Sequence, residues 1–376
     1  MNENEKICQI ALTLLRGVGA SNAKLLVNYL GNTENLFSCS QQDLLHLPGI
    51  QPKAVSNLIS QLESAYQKAQ KEYQICQQKN ITTLFYTNQN YPKALLECTD
   101  APLLLYTKGN INFNAGTYVS IVGTRQATDY GKEQCFELVN GLAQSIPNLV
   151  IVSGLAYGID IAAHKAALQC HVPTIGVMAG GFNRIYPSAH IPVASQMLEK
   201  GGIVTEQLYY DEPLKPNFIK RNRIIAGLCD ALVVVESAAK GGALVTASIA
   251  GTYNKDVFVF PGRCNDTVSA GCNALIKHNK AALIENASDL MDAMGWKHAL
   301  PGKKSTLPER KLPAFFNELS PIEQTIVQCI FDEKLIHIDA LSDKTKISMG
   351  DLLPLLLMLE FQNAVVCLPG SMYQVK

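Results

Sequence analysis

Between about residues 116 and 295, short apolar runs alternate with segments of helical period. That alternation constrains the fold more than any other feature of the 376-residue chain. The runs at 118–122, 149–153, 174–178, 203–205, 231–236 and 257–260, with a weaker one at 282–284, are rich in Val and Ile and almost unbroken in apolarity. Strands covered on both faces have that texture. Helical patterns fall between them, at 130–143, 160–168, 191–199, 217–228 and 244–253. Strand, helix, strand repeated in this way implies right-handed crossovers and a parallel, doubly wound α/β sheet. Such sheets hold their ligands outside the carboxyl ends of the strands.

The residues following each strand are therefore the ones to read. They include Gly123-Thr124-Arg125, Ser153-Gly154 running on to Gly158-Ile159-Asp160, Gly180-Gly181, Lys240-Gly241-Gly242 and Pro261-Gly262-Arg263. Glycine lets a backbone approach a ligand closely, and the helix starts beside these loops present oriented N–H groups. Tight turns favour glycine anyway, but five or six such loops on one rim point to an anion, most simply a phosphate. The usual phosphate cofactors do not fit. The second strand ends in Ser153-Gly154 rather than an acid, and G-x-G-x-x-G and G-x-x-x-x-G-K-[ST] are both missing. There is also no G-x-S-x-G elbow and no H-E-x-x-H. Asp160 and His164 share a helix face, where a structural bond is the more ordinary reading than a catalytic dyad. No cofactor is expected.

Charge sharpens the question of ligand. The chain has 32 Lys+Arg against 32 Asp+Glu, so its formal net charge is zero. Residues 213–229 nevertheless contain Lys215, Lys220, Arg221 and Arg223 with no acid, and Phe218 lies among them. Cations that hold a backbone and a ring that stacks on a base are what single-stranded nucleic acid requires. The same residues also fit a solvated basic helix start with Phe218 in the core, and both readings stand at this level. Arg125 adds a guanidinium suited to bidentate phosphate contact.

Four regions differ in texture. Residues 1–78 read as helical and contain a degenerate repeat, Leu15-Arg16-Gly17-Val18-Gly19 and Leu47-Pro48-Gly49-Ile50, each joining two helices. This looks like a helix-hairpin-helix pair that offers turn amides to phosphate, or simply two glycine-permitted turns. Residues 79–298 form the main α/β domain, with its core at 116–295. Residues 299–315 include GKKSTLPERKLP and read as a linker. Residues 316–376 read as three helices and a two-stranded wing around Pro369-Gly370, a winged helix. Its third helix carries Asp351 and Glu360 and no cation after Lys346, which disfavours groove insertion and favours protein contact or regulation. Eleven cysteines without a C-x-x-C, no secretory signal and no apolar run of membrane length lead us to expect a cytoplasmic protein without a membrane partner.

Several long segments together resemble the bacterial DNA-processing protein A (DprA/Smf) family. They are SIVGTRQATDYG at 120–131, IVSGLAYGIDIAAHKAAL at 151–168, TIGVMAGGFNRIYP at 174–187, FIKRNRIIAGL at 218–228, VVVESAAKGGALVTAS at 233–248, VFVFPG at 257–262 and SAGCNALI at 269–276. The resemblance implies a Rossmann-like domain that binds single-stranded DNA, protects it and loads RecA recombinase onto it in natural transformation, without catalysis. It also implies a homodimer through that domain. By resemblance, Gly123, Thr124 and Arg125 form the G-[ST]-R phosphate contact, and Lys215 and Phe218 a K-x-x-F pair meeting phosphate and base. Ser153, Gly154, Arg221 and Asn222 fall in neighbouring pocket motifs, and Lys220 and Arg223 of the basic stretch complete the candidate DNA contacts. Where many members have S-G-S-L-[IV]-T-A, this chain has Gly241-Gly242-Ala243, which leaves backbone amides to meet phosphate there. The competing reading is a nucleotide phosphoribohydrolase built on the same glycine-rich rim. Its P-G-G-x-G-T-x-x-E signature is absent, and only Asp160 and Glu236 are placed to act as acids.

Overall fold

A computed structural model describes residues 2–45, 52–296, 316, 319–333, 336–362, 364–368 and 371–375. The chain divides into two compact units, Met1–Leu300 and Pro301–Lys376. The second turn of the proposed repeat (Leu47–Ile50), the linker and Pro369-Gly370 lie outside the described residues.

The first unit begins with helices α1 (Glu3–Thr13), α2 (Ala20–Leu30), α3 (Thr33–Ser38), α4 (Gln41–Leu45) and α5 (Pro52–Gln78). Strand β1 (Thr82–Phe85), helix α6 (Lys93–Leu96) and strand β2 (Leu104–Gly109) follow. The alternation then runs β3 (Thr117–Val122), α7 (Asp129–Ser145), β4 (Leu149–Ser153), α8 (Ile159–Gln169), β5 (Thr174–Val177), α9 (Ile191–Met197) and β6 (Gly202–Thr205). It continues through α10 (Lys215–Leu228), β7 (Ala231–Val234), α11 (Gly242–Thr252), β8 (Asp256–Val259), α12 (Ala270–Lys277), β9 (Ala282–Leu283) and α13 (Ala287–Ala293). Each strand expected between 116 and 295 forms, shifted by two residues at most.

Among the described residues the sheet has nine strands in the order β1-β2-β6-β5-β4-β3-β7-β8-β9. From β6 to β9 all pairs are parallel. Residues alternate between the two faces, which explains the unbroken apolarity. Val119, Ile121 and Ile151 pack under α7, α8 and α13, while Val150, Val152 and Val177 pack under α10 and α11. The β1–β2 hairpin adds antiparallel strands beside β6, an extension the sequence reading left as mixed structure. Its outer face shares one hydrophobic cluster with α1, α2 and α5, through Ile10, Leu26, Leu58, Phe85 and Tyr106. The first hairpin turn forms as expected: Gly17 takes φ +82° and Gly19 caps α2.

The bond expected between Asp160 and His164 does not form: His164 pairs with Thr174, and Asp160 with backbone amides of the loop after β4. Thr174 Oγ1 donates to the Ile151 carbonyl at 2.9 Å, so it accepts from His164 Nδ1–H at 2.7 Å. His164 Nε2 is buried and has no hydrogen-bond partner among the described residues. Burial, with His190 and Arg221 near, holds this imidazole down at about 3. Folding therefore rejects a proton that the unfolded chain takes up below its ordinary value near 6.5. Stability from this group is complete above that value and is lost as pH falls toward 3. Between pH 7 and pH 5 the loss is about 2 kcal/mol. Urea midpoints at the two pH values should differ less in His164→Leu than in the parent; an unchanged difference would contradict this reading.

The second unit contains α14 (Pro321–Glu333), β10 (Ile336–His337), α15 (Ile338–Thr345), α16 (Met349–Phe361), β11 (Val365–Leu368) and β12 (Met372–Val375). Among the described residues its three strands pair antiparallel in the order β10-β12-β11, the arrangement of a winged helix. Ser348 caps α16 by accepting from the Asp351 amide, and Leu352, Leu356 and Leu359 are buried. The outward side of α16 exposes Leu353, Leu357, Met358 and Phe361 and carries no cation.

Candidate functional site

In sequence, β4 follows β3 on one side of the sheet and β8 follows β7 on the other, so the winding reverses between β3 and β7. Their carboxyl ends form the crevice in which ligands of doubly wound sheets bind. A cavity of about 730 Å³ opens there. The loops after β3, β5 and β7 and the start of α10 line it.

Hydrogen bonds hold these loops to one another. The Thr124 amide donates to the Glu236 carbonyl at 2.7 Å, and the Ile159 amide donates to the Thr124 carbonyl at 3.1 Å. The Glu236 carboxylate accepts from the Thr128 amide at 2.9 Å and from the Thr128 hydroxyl, fixing the residue that caps α7. Gly158 turns with φ +77° directly under this loop, and a Cβ there would run into the Thr124 carbonyl oxygen. Gly158→Ala is expected to cost about 3 kcal/mol, from strained backbone plus overlap. A melting curve checks this, and a wild-type midpoint would contradict it.

Beneath the cavity, Asp160 and Arg221 both crowd against Gly154. A Cβ on Gly154 would lie 2.5 Å from Asp160 Oδ2 and 2.6 Å from Arg221 Nη2, so only glycine fits. Arg221 is buried and donates through Nη1 to the carbonyls of Gly154, at 2.6 Å, and Val177. Burial lowers its guanidinium to about 10, opposed by the attraction of Asp160, so it stays charged at neutral pH. Burial raises Asp160, opposed by Arg221 and by hydrogen bonds from the Ala156 and Gly154 amides. Ser153 is buried too and donates through Oγ to the Ile121 carbonyl at 2.6 Å. Ser153, Gly154 and Arg221 thus form the floor of the site.

Other expected residues reach the open groove. Arg125 and Lys215 are exposed, and among the described residues neither has an acidic partner. Asn222 lines the wall. Gly241 and Gly242 start α11, whose N-terminus has no side-chain cap and leaves amides directed outward. Phe218 is half-buried, and its ring is already occupied. The Arg125 guanidinium lies 5.3 Å from its centroid and that of Arg221 5.9 Å.

The basic segment divides around α10. Lys215, Phe218 and Asn222 face this groove, whereas Lys220 and Arg223 face a second cavity and pair with Glu206. Lys220 Nζ is 3.3 Å from Glu206 Oε2, and Arg223 also donates to the Asp100 carbonyl. Two cationic or aromatic lining residues escaped selection from sequence. Lys240 is an exposed cation in the loop after β7, and Tyr186 is an exposed ring in the loop after β5. Lys240 was visible as a lone cation in a glycine-rich loop. Tyr186 had no signal beyond being aromatic.

Two family models match the chain. The family model for DNA recombination-mediator protein A matches residues 82–295, and a model for the DprA winged helix domain matches residues 312–371. The chain belongs to the DprA family. Protein Smf of Synechocystis is 30% identical over the full length of both chains. Protein Smf of Escherichia coli is 32% identical over 76% of this chain and 75% of its own. The X-ray structure of DprA from Streptococcus pneumoniae superposes with a TM-score of 0.64 at 30% identity, covering 77% of this chain and 98% of that one. DprA from Helicobacter pylori superposes with a TM-score of 0.52 at 32% identity, covering 57% and 96%; that structure concerns its single-stranded DNA binding mode.

Proposed function

We propose that this protein binds single-stranded DNA in the groove between the ends of β3 and β7, without catalysing a reaction on it. The observation that carries this reading is the charge of the groove. Arg125, Lys215 and Lys240 border it together with the uncapped start of α11, and Asp160, the one acid in its wall among the described residues, is offset by the charge of Arg221. Cations and free amides on a concave rim hold phosphates irrespective of base sequence. A formal net charge of zero supplies no general attraction to duplex, so binding depends on this local cluster. The single-stranded DNA binding described for the Helicobacter pylori relative supports the same reading.

Phosphoribohydrolase chemistry would need a carboxylate free to act, and both candidates have structural partners. Glu236 holds Thr128, and Asp160 sits with Arg221 and two amides. The family's description as a recombination mediator supports a wider role. We infer a homodimer through the Rossmann-like domain that protects incoming DNA and loads RecA recombinase onto it. In competition, a single-stranded oligonucleotide should displace bound probe at far lower concentration than the same sequence as duplex. Equal potency, or release of a free base from a nucleoside monophosphate, would overturn the proposal.

A further inference from the structure

We propose that Tyr186 is a base-stacking platform of the groove and that Phe218 acts as its buttress. This rests on the single-strand reading above and adds to it the contact made with the base. The family pattern would give that contact to Phe218. In this chain two guanidiniums lie over the Phe218 ring and the side chain is half-buried, so a base could stack on it only by displacing them.

Tyr186 has the opposite surroundings. It lines the same cavity and is 45% exposed. Its one ring neighbour among the described residues is Phe218, at 5.8 Å between centroids and 71° between planes. That edge-to-face contact holds the tyrosine without stacking on it, and no cation lies over its ring among the described residues. A large aromatic surface left in water inside a cationic groove gains by covering itself with another flat ring. A nucleobase on a strand whose phosphates lie against Arg125 and Lys215 is such a ring. Every base has a π-face, so this contact adds affinity without adding sequence preference.

Binding of the full chain to oligodeoxythymidine is compared with binding to an abasic strand of the same length. The wild-type protein should prefer the strand with bases by roughly tenfold, the scale of one base–aromatic stack. Tyr186→Ala should abolish that preference and leave the salt dependence unchanged, because no phosphate contact is lost. Tyr186→Phe should keep the preference. Tyr186→Trp gives a second readout: its emission should be quenched by oligodeoxythymidine and unaffected by the abasic strand, with wild-type Trp296 as background. A Tyr186→Ala protein that still prefers bases tenfold, or an indole that does not respond, would overturn the proposal. A wild-type protein that binds neither strand would instead overturn the single-strand reading on which it rests.

Discussion

Arg221→Met is expected to lower stability by about 3–5 kcal/mol, because it strands the buried Asp160 without its cation. Arg221 is one of four cations in a nine-residue stretch, and from sequence alone all four are equivalent candidates for DNA. The structure gives this one a different role. Its guanidinium is buried, and it donates to the carbonyls ending β5 and following β4. Those bonds tie the loop at Gly154 to α10 and so fix the floor on which the groove stands. The urea midpoint of Arg221→Met should fall accordingly, and a double Arg221→Met, Asp160→Asn variant should recover part of the loss. A single variant as stable as the parent that fails only in DNA binding would show that Arg221 belongs to the ligand.

Removing Arg125 and Lys215 together should do the reverse. Both are exposed and lack acidic partners among the described residues, so Arg125→Ala, Lys215→Ala should melt like the parent. A charge-assisted hydrogen bond is worth about 1.5–3 kcal/mol, so losing two contacts should weaken single-strand binding by roughly 100-fold or more. Lys220→Ala is the matched control. It removes one equal charge from the same helix, but one engaged with Glu206 on the far side of α10, and should leave affinity nearly unchanged.

Most of the α/β domain was legible in the sequence because a parallel sheet covered on both faces writes each strand as a compact apolar run. Residues 149–153 were read as a strand and form β4 with the same limits. The β1–β2 hairpin was not legible, since Thr82-Thr83-Leu84-Phe85 is too short to show a period. In the site, sequence located the glycine-rich rim but not the direction of each side chain. Lys215 and Lys220 are five residues apart, and the helical turn sends them to different cavities. Arg221 looked like an open cation because Asp160, whose charge acts on it, is sixty-one residues earlier in the chain. Phe218 left two readings in sequence, core or base contact, and the structure shows a third surrounding, a ring set beneath two guanidiniums.

The most direct test of the central claim is the dissociation constant for a short oligodeoxythymidine, measured from low to high salt in the wild-type protein and in Arg125→Ala, Lys215→Ala. Each phosphate contact to a single strand contributes about 0.7 to the slope of log K against log salt. The double variant should therefore bind at least 100-fold more weakly at ~0.1 M salt and show a slope shallower by about 1.4. Parallel lines for the two proteins, whatever their separation, would mean that these cations do not hold the phosphates and would contradict the assignment of the groove.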